Sequence, residues 1–181
     1  MKLSIIEVPD NKLRAVSSPV RDFTRDFHEL LLDLEETLKK ATNPEGVGLS
    51  FPQLGHNLRG FFTYIDRRPR FYVNPEILDI SNSITYGPRP DRPIMEGCLS
   101  IPRYYGPVPR PYKVKVKALD EKGNEFTRTL SSFRARVFLH ELDHLDGKLF
   151  TDYTLEFNLP LYEIKNDEFV PVKNPSLIIN W

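Results

Sequence analysis

Cysteine is almost absent from this chain, in which Cys98 is the only one among 181 residues. A lone thiol cannot form a disulfide within the chain, so the usual sign of a secreted protein is missing. Neither charge is in excess, because 25 Lys and Arg residues balance 25 Asp and Glu residues. Such a balance gives no net field that would attract nucleic acid or an anionic membrane. We therefore expect no direct nucleic-acid site.

Long apolar runs are also missing, since no stretch approaches the roughly 20 residues that cross a bilayer. Residues 1–10 (MKLSIIEVPD) show neither the apolar core of a signal peptide nor the Arg-rich, acid-poor composition of a transit peptide. These absences predict a cytoplasmic protein with no membrane partner.

The residues that are present suit a globular fold, with 40% hydrophobic and 28% charged side chains. The length fits one domain, and neither an internal repeat nor a low-complexity linker divides it. We predict a single α+β domain over residues 1–181. In it, antiparallel β-sheets pack around a central α-helix, and an N-terminal amphipathic helix precedes them.

Hydrophobic periodicity predicts the individual elements. Thr24 is a suitable N-cap for the amphipathic helix, which has apolar residues at positions 27, 30, 31, 34 and 38. The central helix is expected at 133–147, after a cap at Ser131 or Ser132 and with a stop at Gly147. Runs rich in aromatic and β-branched residues predict strands at 60–65, 70–75, 76–86, 112–120, 124–130 and, in the tail, 177–181 (LIINW).

The most informative stretch lies in the central helix, where residues 140–144 read HELDH. Helical residues four apart lie about 40° apart around the axis, so His140 and His144 share a face and can bind the same divalent metal. Glu141 lies roughly 60 to 100° away, which suits contact with a water held by the metal. The spacing is typical of a metal-dependent hydrolase.

A third ligand is needed, because catalytic zinc-type sites have three protein ligands and one open position. The protease pattern HExxHxxGxxH fails at Phe150, where the third His would stand. The remaining downstream candidates are Asp152, Glu156 and Glu163, but the proline-broken tail argues against the helix that such a ligand would need. Upstream, Cys98 is the alternative, because a thiolate is a strong ligand that a metal ionises outright.

Three ordered segments resemble the signatures of the peptide deformylase family, enzymes that remove the N-formyl group from the initiator methionine of new polypeptides. The family patterns GxGLAAxQ, EGCLS and HExDH stand here as residues 46–53 (GVGLSFPQ), 96–100 (EGCLS) and 140–144 (HELDH). The resemblance covers about residues 5–155. The tail from 156 to 181 shows no clear match.

The resemblance implies that Cys98, His140 and His144 bind one divalent metal ion and that Glu141 is the general acid/base. Fe²⁺ is the ion that the family favours, and Zn²⁺, Ni²⁺ or Co²⁺ also suits two imidazoles and a thiolate. The implied reaction is the hydrolysis of the formyl amide, which releases formate.

Further residues carried over from the family would bind and orient the substrate. The backbone N–H of Leu99 and the side-chain amide of Gln53 would stabilise the oxyanion, and Gly48 would expose its backbone to an extended peptide. An ion pair of Glu96 with Arg110 is expected beneath the Cys98 strand. The implied methionine pocket consists of Val47, Ile94 and Val137.

The implied partner is an N-formylmethionyl peptide, and the ribosome exit region is a further candidate. We expect a monomer.

Four positions depart from the family pattern. Ser50 and Phe51 replace a small pair in the first motif, and Phe51 either narrows substrate access or packs inward. Leu139 stands where many relatives have Gln, which would remove a hydrogen bond beside the first histidine. Arg136 is expected to place charge at the pocket rim.

Two other functions compete with this interpretation. A zinc endopeptidase with Glu156 or Glu163 as third ligand would keep its metal after Cys98→Ala. A non-catalytic relative of the same fold would fill the fourth coordination position and hydrolyse nothing.

Overall fold

The computed structural model describes residues 4–87 and 94–179. The helices are α1 (Arg25–Lys40), α2 (Ser132–Leu145), α3 (Phe150–Glu156) and α4 (Pro175–Ile178). The strands are β1 (Gly48–Ser50), β2 (Gly60–Ile65), β3 (Arg68–Ile80), β4 (Ile84–Thr85), β5 (Met95–Cys98), β6 (Ile101–Pro107), β7 (Arg110–Pro111), β8 (Lys113–Leu119), β9 (Glu125–Ser131), β10 (Tyr162–Lys165) and β11 (Glu168–Pro171). Over the described ranges, every helix is too short or too polar to cross a membrane.

Antiparallel pairing organises these strands. The first sheet has the order β1-β2-β3-β8-β9, the second has the order β11-β10-β6-β5, and β4 pairs with β7. Because β1 and β5 stand at the ends of their sheets, each presents a backbone edge that has no strand partner within 4–87 and 94–179. Both edges face the site described below.

Helix α2 lies at the centre of the fold because it is buried on nearly every side. Phe138 and Leu142 share an apolar cluster with Val114 and Val116 of β8, both of which are fully buried. A helix enclosed in this way needs no single apolar stripe, so polar residues can face inward where a site requires them. The predicted α+β fold around a motif-bearing helix is confirmed.

Helix α1 covers the other face of the first sheet. Thr24 caps it by accepting a hydrogen bond from the backbone N–H of Phe27 at 3.2 Å. Its buried residues, including Leu34, cluster with Phe51 and Phe62. Phe51 is fully buried there, so of the two alternatives it packs inward and leaves substrate access open.

The hairpin predicted at 112–120 and 124–130 is present as β8 and β9, but the separate strands predicted at 70–75 and 76–86 are wrong. Strand β3 runs through both to Ile80, and Ile84–Thr85 forms β4. Pro75 lies where the register with β8 shifts, between Val73 and Glu76. A proline has no N–H for the ladder, so the strand accommodates it with an irregularity and continues.

The strand predicted at 177–181 is also wrong. Leu177 and Ile178 belong to α4, and residues 180 and 181 lie outside the described ranges. The tail instead forms a hairpin of β10 and β11, in which Asn166 and Asp167 have left-handed φ values of 51° and 63°. These values are typical of a type I′ turn, whose sequence signal is this kind of Asn-Asp pair.

Candidate active site

A cleft of about 230 Å³ is lined by residues from β1, β5 and α2. All the predicted site residues except His144 line it, and His144 is buried one helical turn beyond His140. The residues that reach the cleft are Val47, Gly48, Gln53, Ile94, Cys98, Leu99, Val137, His140 and Glu141.

Cys98, His140 and His144 form a group able to hold a metal ion. One ligand atom from each lies within 4.8 Å of the others, and Cys98 Sγ is 3.2 Å from His144 Nε2. Strand β5 supplies the thiol and α2 supplies both imidazoles, so the group joins the second sheet to the central helix. Of the other proposed ligands, Asp152 is engaged by Arg14 at 2.6 Å.

The two imidazoles differ in their surroundings. His140 Nδ1 lies 3.1 Å from a carboxylate oxygen of Glu96, which leaves Nε2 facing the thiol side. Burial would lower the pKa of His140, but its hydrogen bonds with Cys98 and Glu96 raise it well above the usual value. Burial and the proximity of His140 lower the pKa of His144 well below the usual value, which favours the neutral form that binds metals.

Glu96 is the centre of a buried ion network under the cleft. Arg110 donates to both of its carboxylate oxygens, at 3.0 and 2.9 Å, so the expected ion pair is present. Arg136 donates to the same carboxylate at 2.7 Å and to the carbonyl of Val108. Burial would raise the pKa of Glu96, but Arg110 and His140 hold it well below its usual range.

The network corrects the prediction for Arg136. The residue borders the cleft, but its side chain is almost completely buried and its guanidinium is bound to Glu96 and to backbone carbonyls. It therefore stabilises the base of the site and places no free charge at the rim.

Glu141 points into the cleft with a free oxygen. Its Oε2 is buried and has no hydrogen-bond partner among the residues described. Burial raises the pKa of Glu141 to about 7. Gly48 of β1 lies against this carboxyl group so closely that a Cβ at position 48 would be 2.8 Å from Glu141 Cδ.

Gln53 is fixed by hydrogen bonds at both ends of its amide. The backbone N–H and the hydroxyl of Ser50 each donate to Gln53 Oε1 at 2.9 Å. This directs Nε2 toward Ser100 Oγ at 3.2 Å and Cys98 Sγ at 3.5 Å. Ser50, which departs from the family pattern, thus orients the amide, whereas Leu139 packs in the apolar core.

Several cleft residues were not found from the sequence: Glu45, Met95, Tyr105 and Phe133. Tyr105 stands opposite Gly97 in the pairing of β5 with β6. Only the strand register reveals that neighbour, because nothing local to residues 104–105 distinguishes a wall of the cleft from any other aromatic strand residue.

Comparison with known proteins identifies the family. The family model named polypeptide deformylase matches residues 2–158. The chain belongs to the peptide deformylase family. A peptide deformylase of Chromohalobacter salexigens is 39% identical over 155 residues, which cover 84% of this chain and 85% of that protein.

Solved deformylase structures agree with this assignment. The structure of a Legionella pneumophila deformylase has 35% identity and a TM-score of 0.74. The match covers 84% of this chain and 86% of that chain. The structure of a Synechococcus elongatus deformylase in complex with actinonin has 30% identity and a TM-score of 0.76. The match covers 86% of this chain and 82% of that chain.

Deformylases are metal-dependent enzymes that remove formyl groups from nascent peptides, and membership in the family favours that reaction over the endopeptidase and the non-catalytic relative. The deformylase match ends at residue 158, so β10, β11 and α4 lie beyond it.

Proposed function

We propose that this chain hydrolyses the formyl amide of N-formylmethionyl peptides and releases formate. The observation that carries the proposal is the position of Glu141, whose unpartnered, buried Oε2 lies in the same cleft as the thiol and imidazole group. A carboxyl group with a pKa of about 7 can both accept and donate a proton near neutral pH.

The donor atoms fit one divalent ion held by Cys98, His140 and His144. Ligand atoms at about 2.0 to 2.3 Å from a tetrahedral ion are themselves about 3.3 to 3.8 Å apart. The distance of 3.2 Å from Cys98 Sγ to His144 Nε2 is close to this range, and all three ligand atoms lie within 4.8 Å of one another. Family resemblance makes Fe²⁺ our proposed working ion, and Zn²⁺, Ni²⁺ and Co²⁺ suit the same donors. When bound, such an ion would supply a Lewis acid and lower the pKa of a coordinated water.

The protein groups then divide the remaining work. Glu141 takes the proton of the attacking water through Oε2 and later delivers a proton to the leaving amine. Gln53 Nε2, held toward Cys98 by the Ser50 hydrogen bonds, and the backbone N–H of Leu99 stabilise charge on the formyl oxygen.

The two sheet edges suit an extended peptide. Strands β1 and β5 both border the cleft, and an inserted peptide backbone can pair with their exposed N–H and C=O groups. Gly48 allows this approach because it has no side chain. Val47, Ile94 and Val137 provide the apolar surroundings that a methionine side chain requires.

We further propose that residues 1–181 form one domain that acts as a cytoplasmic monomer near the ribosome exit region. A nascent formylated chain is the substrate class of the family, and the balanced charge of the chain suits local recognition of a peptide.

The test measures formate release from a formyl-Met tripeptide and the metal content of protein purified without oxygen. For Glu141→Gln we expect kcat to fall by at least about 10²-fold with metal retained, because the proton acceptor is lost while the ligands remain. Cys98→Ala should lose both metal and activity. Actinonin, which is bound to the Synechococcus elongatus deformylase, should inhibit the wild type.

The matched control is Glu121→Gln, which removes an exposed carboxylate and should leave turnover unchanged. Absence of formate release by the wild type, or full activity of Glu141→Gln, would contradict the proposal. Metal retention and cleavage of internal peptide bonds by Cys98→Ala would instead support an endopeptidase.

A further inference from the structure

The C-terminal hairpin, defined as β10 and β11 with their turn (residues 162–171), extends the second sheet on the side opposite the β5 edge. Strand β10 pairs with β6, and β6 pairs with β5, which carries Cys98. The hairpin lies beyond the residues matched by the family model. Its sequence therefore belongs to this chain and not to the shared deformylase pattern.

Tyr105 of β6 lies at the inner end of this arrangement. It is the register partner of Gly97, and its ring lies so close to that glycine that a Cβ at position 97 would be 2.7 Å from Tyr105 Cδ1. The same ring lines the cleft. An aromatic ring across a strand glycine fills the space of the missing side chain, which here turns Tyr105 into a wall of the site.

Phe169 of β11 packs on the far side of Tyr105. The two rings are edge-to-face with centroids 5.5 Å apart, and Phe169 makes a second edge-to-face contact with Tyr162, the register partner of Tyr105 on β10. The Phe169 side chain is 50% exposed, so hydrophobic burial alone does not explain its position on Tyr105. Its contacts restrict the positions that the Tyr105 ring can take.

The contacts that lead from Phe169 through Tyr105 to Gly97 end close to the proposed reaction centre. Gly97 directly precedes Cys98, and each strand residue advances about 3.3 Å, so Tyr105 lies within the reach of one or two substrate residues from the metal-binding group. A peptide paired along the β5 edge would bring the side chains that follow its methionine to this wall.

We propose that the C-terminal hairpin sets the substrate preference of this deformylase. Phe169 is a positioning residue that holds Tyr105 against Gly97, and the Tyr105 ring binds an apolar side chain in one of the two residues after the formylmethionine. The inference rests on the proposed deformylase function and adds a preference for apolar over small polar residues at that point of the peptide.

The test compares kcat and KM for two peptide series, formyl-Met-X-Ser and formyl-Met-Ser-X, in which X is Leu, Phe or Ser. In one series the wild type should have a lower KM for Leu and Phe than for Ser. Phe169→Ala should raise the KM of the apolar peptides about three- to tenfold, which corresponds to the loss of one aromatic contact. It should leave kcat, and the KM of the Ser peptide, unchanged. Phe169→Tyr, which keeps the ring, should restore the preference.

Two further variants separate positioning from general stability. Val170→Ala changes the neighbouring residue of β11, whose side chain points to the opposite face, and should leave every KM unchanged. Tyr105→Ser removes the ring and should abolish the discrimination between the apolar and the Ser peptides.

Equal KM values for wild type and Phe169→Ala, or a loss of kcat that is the same for all peptides, would overturn the inference while leaving the deformylase function in place. Failure of the wild type to release formate from any peptide would overturn the proposed function and the inference together.

Discussion

At the scale of single residues, Glu96 contacts three described basic side chains beneath the cleft. One buried carboxylate accepts from Arg110 and Arg136 and meets His140 at 3.1 Å. A carboxylate partner fixes which nitrogen of an imidazole faces a metal and raises its basicity as a ligand. Glu96 therefore stabilises the fold and orients His140 at the same time.

Glu96→Gln should weaken both functions. The variant removes the buried acidic partner of Arg136 and leaves Arg110 paired with Asp143 alone. The free energy of unfolding in urea should therefore fall by about 3 to 5 kcal/mol. The metal affinity, measured by titration, should fall by about 10- to 100-fold, because His140 loses its carboxylate partner.

The matched control is Glu125→Gln, in which the side chain is 63% exposed and its lysine partner lies 3.9 Å away. A loose surface pair of this kind contributes about 0 to 1 kcal/mol, so this variant should be close to wild type. Similar losses in both variants would show that Glu96 has no special role.

At the level of elements, the approach of β1 to α2 depends on a glycine. The closest atoms to a Cβ built at Gly48 all belong to Glu141. Adding a methyl group there forces the carboxyl group away from its position, and a displacement of about 1 Å can reduce turnover by about 10²-fold. Gly48→Ala should therefore lose most of its formate release while the fold persists.

A double-mutant cycle tests the cause of that loss. In a Glu141→Ala background the crowded atoms are gone, so adding Gly48→Ala should change the melting temperature little, whereas the same change in the wild type should lower it. An equal decrease in both backgrounds would place the strain elsewhere in β1.

Elements with local signals could be predicted from the sequence, and those that depend on strand register could not. The Thr24 cap and the spacing of His140 and His144 are local, and both were found. Other contacts join residues from different elements, such as the contact of Tyr105 with Gly97 and the ion pair of Arg136 with Glu96. Such contacts depend on strand pairing and tertiary packing. The residue pattern within one segment carries no information about either.

At the scale of the whole molecule, the tail contributes to the apolar core beside Cys98. Leu161 and Ile179 are buried in one apolar cluster with Cys98, Ile101 and Leu149. The region beyond the family match is thus packed against the strand that carries the thiol. The integrity of the site should depend on the tail.

Leu161→Ala tests this dependence. Leu161 is 1% exposed, so truncation leaves a cavity that should cost about 2 to 5 kcal/mol, because the surroundings relax only partially. For a chain of this size that loss should lower the melting temperature by about 5 to 15 °C in a thermal scan. Leu177→Ala is the matched control from the same tail, since Leu177 is 75% exposed and its truncation should shift the melting temperature by less than about 2 °C. If the two variants melted together, the tail would be an appendage and the packing of Leu161 beside Cys98 would contribute nothing to the stability of the site.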